Sequence, residues 1–146
     1  MKPSPLQLES YVFTRIHMDA CEDPKCLTNE DAGQFLVNTQ CQQHNEERSR
    51  WMVTIKVSIH QKDGAQCPPY LFDIEVVGFF QVAEEYPAEK NAPMVRANAP
   101  AVLFGAVREM IANITARGPY PKFDLPTVTF IDEAQGASEN VEKKQV

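Results

Sequence analysis

Thiols and imidazoles are the side chains of this chain best suited to chemistry, as nucleophiles, general bases or metal ligands. The cysteines and histidines are spread over separate parts of the sequence: Cys21, Cys26, Cys41, Cys67, His17, His44 and His60. A zinc site built from Cys21, Cys26, Cys41 and His44 has four suitable ligands, but the spacings match no common structural zinc pattern. We therefore expect free, reduced thiols and no bound metal. A small metal- or ligand-binding domain that uses this Cys/His set stays open as an alternative.

Acidic pairs and short motifs give no catalytic site either. The doublets Glu46-Glu47 and Glu84-Glu85 fall in predicted turns, where carboxylates are usually solvated. The sequence lacks the glycine-rich phosphate-binding motifs, the G-x-S-x-G elbow and the H-E-x-x-H zinc motif. We expect neither an enzyme nor a cofactor.

Charge and hydropathy exclude two classes of partner. The 146-residue chain has a net charge of −6 and contains no basic run, so it lacks the electrostatic footprint of a nucleic-acid-binding protein. No apolar run approaches the length of a membrane span, and no signal peptide is recognisable at the N-terminus. These features predict a cytoplasmic protein that does not insert into membranes.

Four segments show the patterns of β-strands. Residues 51–59 alternate most clearly, with apolar side chains at the odd positions. Residues 70–80 and 35–41 alternate in a similar way. In residues 6–18, Leu8, Val12, Ile16 and Met18 share one parity, while Tyr11 and Phe13 share the other. Short connections between these segments predict an antiparallel meander.

Residues 97–117 predict one long helix that follows the sheet. Pro100 fits a first turn, Gly118 fits the left-handed position after the last turn, and Pro119 forbids continuation. One helix face is apolar, and Val102 and Phe104 make the opposite face apolar as well. Such a helix is either buried deeply in its own chain or shared between subunits.

Two segments follow the helix. Residues 119–131 contain three prolines and several aromatic residues, so we expect an extended segment that packs against an apolar surface. Residues 132–146 are polar and predict a disordered tail. The folded domain is therefore expected to span 1–131, with an α+β fold.

Several of these segments resemble one known family. They are YLFDIEVVGFF at 70–80, ANAPAVLF at 97–104, TARG at 115–118 and VTF at 128–130. Together they resemble the SecB family of bacterial protein-export chaperones over roughly residues 6–130. The resemblance implies a four-stranded antiparallel sheet and a long helix, assembled as a dimer of dimers with the helices between the sheets.

The resemblance also implies a function and its residues. Members are ATP-independent holdases that keep preproteins unfolded in surface grooves and pass them to the SecA ATPase. The implied substrate contacts are Phe35, Val37, Tyr120, Phe123, Leu125, Val128 and Phe130. The implied SecA contacts are Asp19, Asp73 and Glu75. The implied interface of a homotetramer contains Val102, Leu103, Phe104, Val107, Met110 and Ile111.

The sequence departs from the family pattern in two places. A polar tail follows Ile131 where members continue into a second helix, so the helical lid is expected to be short or absent. The usual acidic residues of the first strand are missing around Thr14 to His17. A second hypothesis follows, in which a SecB-like chaperone serves one dedicated client, such as an antitoxin.

Overall fold

Four antiparallel strands precede one long helix in the computed structural model, which describes residues 1–24, 33–64 and 67–131. The elements are β1 (Leu6–Ala20), β2 (Gly33–Gln43), β3 (Arg50–Gln61), β4 (Tyr70–Val82), a 3₁₀ turn (Ala88–Lys90) and α1 (Asn91–Thr115). This confirms the predicted α+β class and all four predicted strands. Within the described ranges, neither α1 nor any other helix combines the length and the apolar character needed to cross a membrane.

The order of strands in the sheet is β1-β4-β3-β2. The pairs β2–β3 and β3–β4 are consecutive and antiparallel, as predicted. The meander prediction is wrong for β1, which pairs with β4 instead of β2 and gives a Greek-key order. This arrangement places the strongly apolar β4 in the interior of the sheet. It leaves the amide-rich β2 at an edge, where polar side chains and unpaired backbone groups remain in contact with water.

Two irregularities in β1 change which of its side chains face the helix. The register shifts between Leu8 and Ser10 and again between Phe13 and Arg15. Each bulge adds one residue and so switches the parity of the strand. Val12 was predicted to share a face with Leu8 and Ile16, and this prediction is wrong. Val12 pairs with Val77 on the face of the sheet away from α1, which we call the open side.

The core lies between the sheet and α1. Alternate residues of β3 and β4 point toward the helix and are buried. From the helix, Leu103, Val107 and Ile111 are completely buried against them. Leu125 and Phe130, from the segment after the helix, complete this core at 2% and 3% exposure.

The start of α1 differs from the prediction. The helix begins at Asn91, six residues before the predicted start at 97, and Pro100 lies inside it. Pro93 occupies the first turn, where a missing N–H has no cost. Pro93 and Pro100 are both acceptable in the first turn of a helix by sequence alone. The prediction placed Pro100 in that turn, whereas Pro93 occupies it in the structure. Asn98, one residue into the predicted helix, lies well inside the observed one, where its side-chain amide donates to the Met94 carbonyl at 2.8 Å.

The end of α1 lies close to the predicted position but has another cause. Gly118 does not have the predicted left-handed backbone; among the described glycines only Gly64 has a positive φ. A Cβ at Gly118 would instead collide with the Tyr70 hydroxyl and lie 3.0 Å from two of its ring carbons. Glycine therefore allows the chain to pass close to Tyr70 as it leaves the helix.

Residues 121–130 have no regular secondary structure, which agrees with the predicted extended segment. The predicted disordered tail, 132–146, lies outside the described residues. The expected short or absent second helix falls in the same part of the chain.

Candidate functional site

An aromatic contact joins the edge strand β2 to the segment after the helix. The Phe104 ring on α1 contacts Phe35 of β2, with centroids 6.3 Å apart, and Phe130, with centroids 6.2 Å apart. Both contacts are edge-to-face, the geometry that aromatic pairs prefer. The structure thus brings two residues predicted to bind substrate to the same helix residue.

A second row of aromatic rings lies where β4 begins. Tyr120 packs edge-on against Tyr70 at 5.7 Å, and Phe123 stacks on Phe72 at 5.9 Å. Tyr70 and Phe72 are themselves in contact at 6.0 Å. The first half of the segment after the helix is therefore attached to β4 through ring contacts.

Hydrogen bonds fix the backbone of this segment. The Tyr70 hydroxyl accepts from the Tyr120 N–H at 3.0 Å and donates to the Tyr120 carbonyl at 3.1 Å. The buried Thr115 hydroxyl accepts from the Phe123 N–H at 2.9 Å and donates to the Ile111 carbonyl at 2.8 Å. Each hydroxyl therefore both donates and accepts a hydrogen bond, and the segment is held in one position on the core.

The seven predicted substrate contacts divide by exposure. Leu125 and Phe130 belong to the core and are not accessible to a bound chain. The other five are half-buried and pack against the core from its margin; we call them the apolar rim: Phe35, Val37, Tyr120, Phe123 and Val128. A ligand that covers the rim would remove further apolar surface from water, and the backbone of the rim would not need to rearrange.

Sequence reasoning missed a further apolar strip on β1. Tyr11 and Ile16 face the same side of the sheet as the helix, and they are 46% and 49% exposed. Phe13 lies between them, half-buried, with its ring 6.1 Å from that of Tyr11. No signal in the sequence gives the position of the bulges, so the shared face of these three residues was not predictable.

The acidic residues predicted to contact a partner all have basic neighbours. The Arg15 guanidinium forms a salt bridge with the Asp73 carboxylate, with 2.8 Å between nitrogen and oxygen. The His17 Nε2 lies 2.8 Å from an Asp19 carboxylate oxygen. Glu75 accepts a hydrogen bond from Thr14 at 2.6 Å and faces the Lys56 ammonium at 3.3 Å. The Thr14 hydrogen bond, followed by Lys56, lowers the pKa of Glu75. The open sheet face therefore carries mixed charge instead of an acidic patch.

Comparison with known proteins identifies the family. A family model described as preprotein translocase subunit SecB matches residues 3–134 of the 146-residue chain. The chain belongs to the SecB family. The family assignment supports a chaperone and not an enzyme.

Relatives of this SecB-family chain include both export proteins and an uncharacterized protein. The uncharacterized one, from Methanocaldococcus jannaschii, is 33% identical over 116 residues, which are 75% of this chain and 72% of that protein. The protein-export protein SecB of Cereibacter sphaeroides is 29% identical over 99 residues, 67% of this chain. That of Ruegeria pomeroyi is 30% identical over 99 residues, 65% of this chain. The matches span 59% of the length of each of these two export proteins.

A solved structure confirms the SecB-like fold. The SecB-like chaperone of Mycobacterium tuberculosis, determined in complex with a ChAD peptide from the HigA1 antitoxin, superposes with a TM-score of 0.59. The match covers 84% of this chain and 90% of that one, at 16% identity. At this identity the comparison supports the fold alone.

The predicted interface residues of this SecB-family helix lie at different depths. Leu103, Phe104, Val107 and Ile111 pack inside their own chain as core residues. Val102 is 48% exposed and Met110 is half-buried. Of the six residues predicted to form the interface, these two lie on the outward face of the helix, and an interface through them stays a prediction.

The zinc arrangement that was left open as an alternative does not form among the described residues. Cys21 lies beside Pro69, ahead of β4, whereas Cys41 is level with Gly78. The levels of Pro69 and Gly78 are nine residues apart, roughly 30 Å at the rise of a strand. His44 lies beyond Cys41, and its Nδ1 accepts the backbone N–H groups of the following turn. Within the described ranges no three His, Cys, Asp or Glu side chains are grouped for a metal; Cys26 lies outside those ranges.

Proposed function

We propose that this protein is an ATP-independent holdase that binds extended apolar segments of unfolded proteins along the apolar rim. The observation that carries the proposal is the half-buried state of the five rim residues, which remain accessible although they contact the core. A client side chain that covers them gains roughly 25 cal/mol for each Å² of apolar surface removed from water.

The construction of the rim suits a binder of many sequences. Its aromatic and aliphatic contacts are non-directional, so they accept different apolar side chains. The hydrogen bonds of Tyr70 and Thr115 hold the backbone of residues 120–123 before a client arrives. Little ordering entropy is then lost on binding.

For the clients, we infer unfolded preproteins that are delivered to the SecA ATPase. Support comes from the relatives that are named protein-export protein SecB. In this proposal Asp73, Glu75 and Asp19 on and beside the open sheet face would contact SecA.

A second candidate is a chaperone dedicated to one client, such as an antitoxin. It is favoured by the salt bridges of Asp73 and Glu75 to Arg15 and Lys56, because paired carboxylates attract a basic partner less strongly. The solved structural neighbour shows that another chain of this fold binds an antitoxin peptide.

We also propose a homotetramer in the cytoplasm, assembled as a dimer of dimers through the outward face of α1. Val102 is exposed there between the small residues Ala101 and Gly105, and a Cβ at Gly105 would meet nothing within 4 Å. This open, small-residue surface allows close approach of a second helix.

The test is suppression of aggregation without nucleotide, with the native mass recorded on the same sample. The client is a chemically unfolded, slow-folding secretory precursor. Suppression at stoichiometric amounts by a tetramer supports the holdase, and SecA that binds the loaded complex supports export. No suppression, together with one small protein that co-purifies stoichiometrically, supports the dedicated chaperone. Failure of both, with a monomeric mass, contradicts the proposal.

A further inference from the structure

Two cysteines that are distant in sequence meet at one end of the sheet. Cys21 follows the last residue of β1, and Cys67 precedes β4 by three residues. The backbone N–H of Cys21 donates to the Pro69 carbonyl at 2.9 Å, which extends the pairing of Ala20 with Tyr70. Pro68 and Pro69 are buried, so the approach of Cys67 to the sheet is rigid.

The two thiols interact directly. The Cys67 side chain is hydrogen-bonded to that of Cys21, and this bond is the main reason that the pKa of Cys67 is raised to about 11. Cys67 therefore keeps its proton at neutral pH. Both side chains are half-buried, which leaves them accessible to a small oxidant.

We propose that Cys21 and Cys67 form a reversible redox site, in which a peroxide converts the two thiols into an intramolecular disulfide. Neither packing in the core nor a metal site accounts for two thiols at this end of the sheet. The inference does not depend on the proposed holdase function. Where disulfides do form in reducing compartments, they are usually transient and catalytic or redox-sensing.

The reaction balances without a further reactant. The Cys21 thiol releases its proton and the thiolate attacks one peroxide oxygen, so the O–O bond breaks and a sulfenic acid and hydroxide form. The hydroxide takes up the proton that Cys21 released and gives the first water. The Cys67 sulfur then attacks the Cys21 sulfur, the S–O bond breaks, and the departing hydroxide takes the Cys67 proton to give a second water. Both thiols are oxidised by two electrons in total, and hydrogen peroxide is reduced to two waters.

The disulfide would affect both stability and the rim. It would close the loop from Cys21 to Cys67, which contains β2 and β3. A loop of this length is expected to raise the Tm by roughly 5 to 10 °C. The Tyr120 hydroxyl donates to the Cys21 carbonyl, so the crosslink would also fix the strand end to which this rim residue is attached.

The experiment is peroxide treatment of the full-length chain, followed by trypsin digestion without reductant. Cleavage after Arg15, Lys25, Lys62 and Lys90 places Cys21 and Cys67 in peptides 16–25 and 63–90, and separates both from Cys26 and Cys41. We expect these two peptides to be linked in the wild type and in Cys26→Ser and Cys41→Ser, with reversal by dithiothreitol. The Tm of the oxidised Cys26→Ser protein should rise by at least about 5 °C.

A Cys67→Ser variant provides the second readout. Its Cys21 should accumulate as a sulfenic acid that dimedone traps, because the resolving thiol is absent. The proposal is overturned if the oxidised Cys26→Ser protein contains no link between 16–25 and 63–90. It is also overturned if Cys67→Ser removes neither the link to peptide 16–25 nor the rise in Tm.

Discussion

The Phe35 ring of the edge strand meets the Phe104 ring of the helix edge-on, with 6.3 Å between their centroids. Phe104 is 4% exposed, whereas Phe35 is half-buried. One ring of this pair therefore belongs to the core, and the other extends the core toward solvent. This relationship separates residues that hold the fold from residues that are available for binding.

Replacement of Phe35 and Val37 by serine should weaken client binding by about tenfold or more. Each lost apolar contact contributes on the order of 1 kcal/mol, and 1.4 kcal/mol corresponds to a factor of ten. The measurement is the client Kd from a fluorescence titration. Leu36→Ser is the matched control, because Leu36 lies on the same strand, 41% exposed, and points to the open side of the sheet. Equal weakening by the control would contradict the rim as the binding surface.

Substitutions at neighbouring helix positions should separate assembly from stability. Val102→Asp should lower the native mass while the Tm of the subunit changes little, because Val102 is exposed. Leu103→Ala should lower the free energy of unfolding by about 2 to 5 kcal/mol, because it leaves a cavity in the core. Sedimentation and chemical denaturation measure the two effects. A native mass unchanged by Val102→Asp would refute assembly through this face.

Gly118→Ala should destabilise the protein through Tyr70. The added methyl group displaces a hydroxyl that makes two hydrogen bonds to the Tyr120 backbone, so we expect a loss of about 1 to 3 kcal/mol. In a Tyr70→Phe background the same substitution should cost less, since the hydroxyl is already absent. A double-mutant cycle from urea denaturation measures this coupling. Strictly additive losses would show that the hydroxyl is not the cause.

Glu75→Gln should reduce stability at neutral pH and have less effect in acid. The lowered pKa of Glu75, caused by Thr14 and then by Lys56, means that the folded state favours the ionised carboxylate. The resulting stability is present above the unfolded pKa and is lost as the pH falls through the folded pKa. Thermal unfolding of both proteins between pH 7 and about pH 3 should show Tm values that converge in acid. A gap that widens as the pH falls would reverse the sign and contradict the assignment.

Alkylation of Cys67 by iodoacetamide should be slow at neutral pH and accelerate as the pH rises. Because the pKa of Cys67 is about 11, the thiolate fraction grows nearly tenfold per pH unit between about pH 8 and pH 10. In Cys21→Ser the hydrogen bond is altered, so the pH profile should shift to lower values. Mass spectrometry of peptide 63–90 follows the rate. A plateau below about pH 9 in the wild type would contradict the thiol pair.

The sequence was sufficient for the strands whose patterns are regular. The alternation of β3 and β4 gave their location and buried face, because every second residue meets the helix. It was not sufficient for β1, where two bulges switch parity without a residue type that marks them. The start of α1 was missed for a related reason, since Pro93 and Pro100 satisfy the same rule and only packing distinguishes them.

The candidate site was predictable in composition but not in depth. The family resemblance identified the aromatic residues after the helix, yet Phe123 is half-buried and Phe130 is core. Which ring is covered depends on the path of the segment over Phe72 and Phe104, and that path is set by Thr115 and Tyr70. Such long-range contacts have no local signal. The salt bridges on the open sheet face were missed for the same reason, because Arg15 and Asp73 come from different strands.

The position of β1 beside β4 has a consequence for synthesis of the protein. Ala20 pairs with Tyr70, so at least 50 further residues must be made before the first strand finds its neighbour. At about 5 to 20 residues per second this takes roughly 3 to 10 seconds. During that interval the nascent chain exposes the first strand, with the apolar side chains of Tyr11, Phe13 and Ile16. The incomplete chain therefore exposes an apolar segment of the kind that completed copies of the protein are proposed to bind.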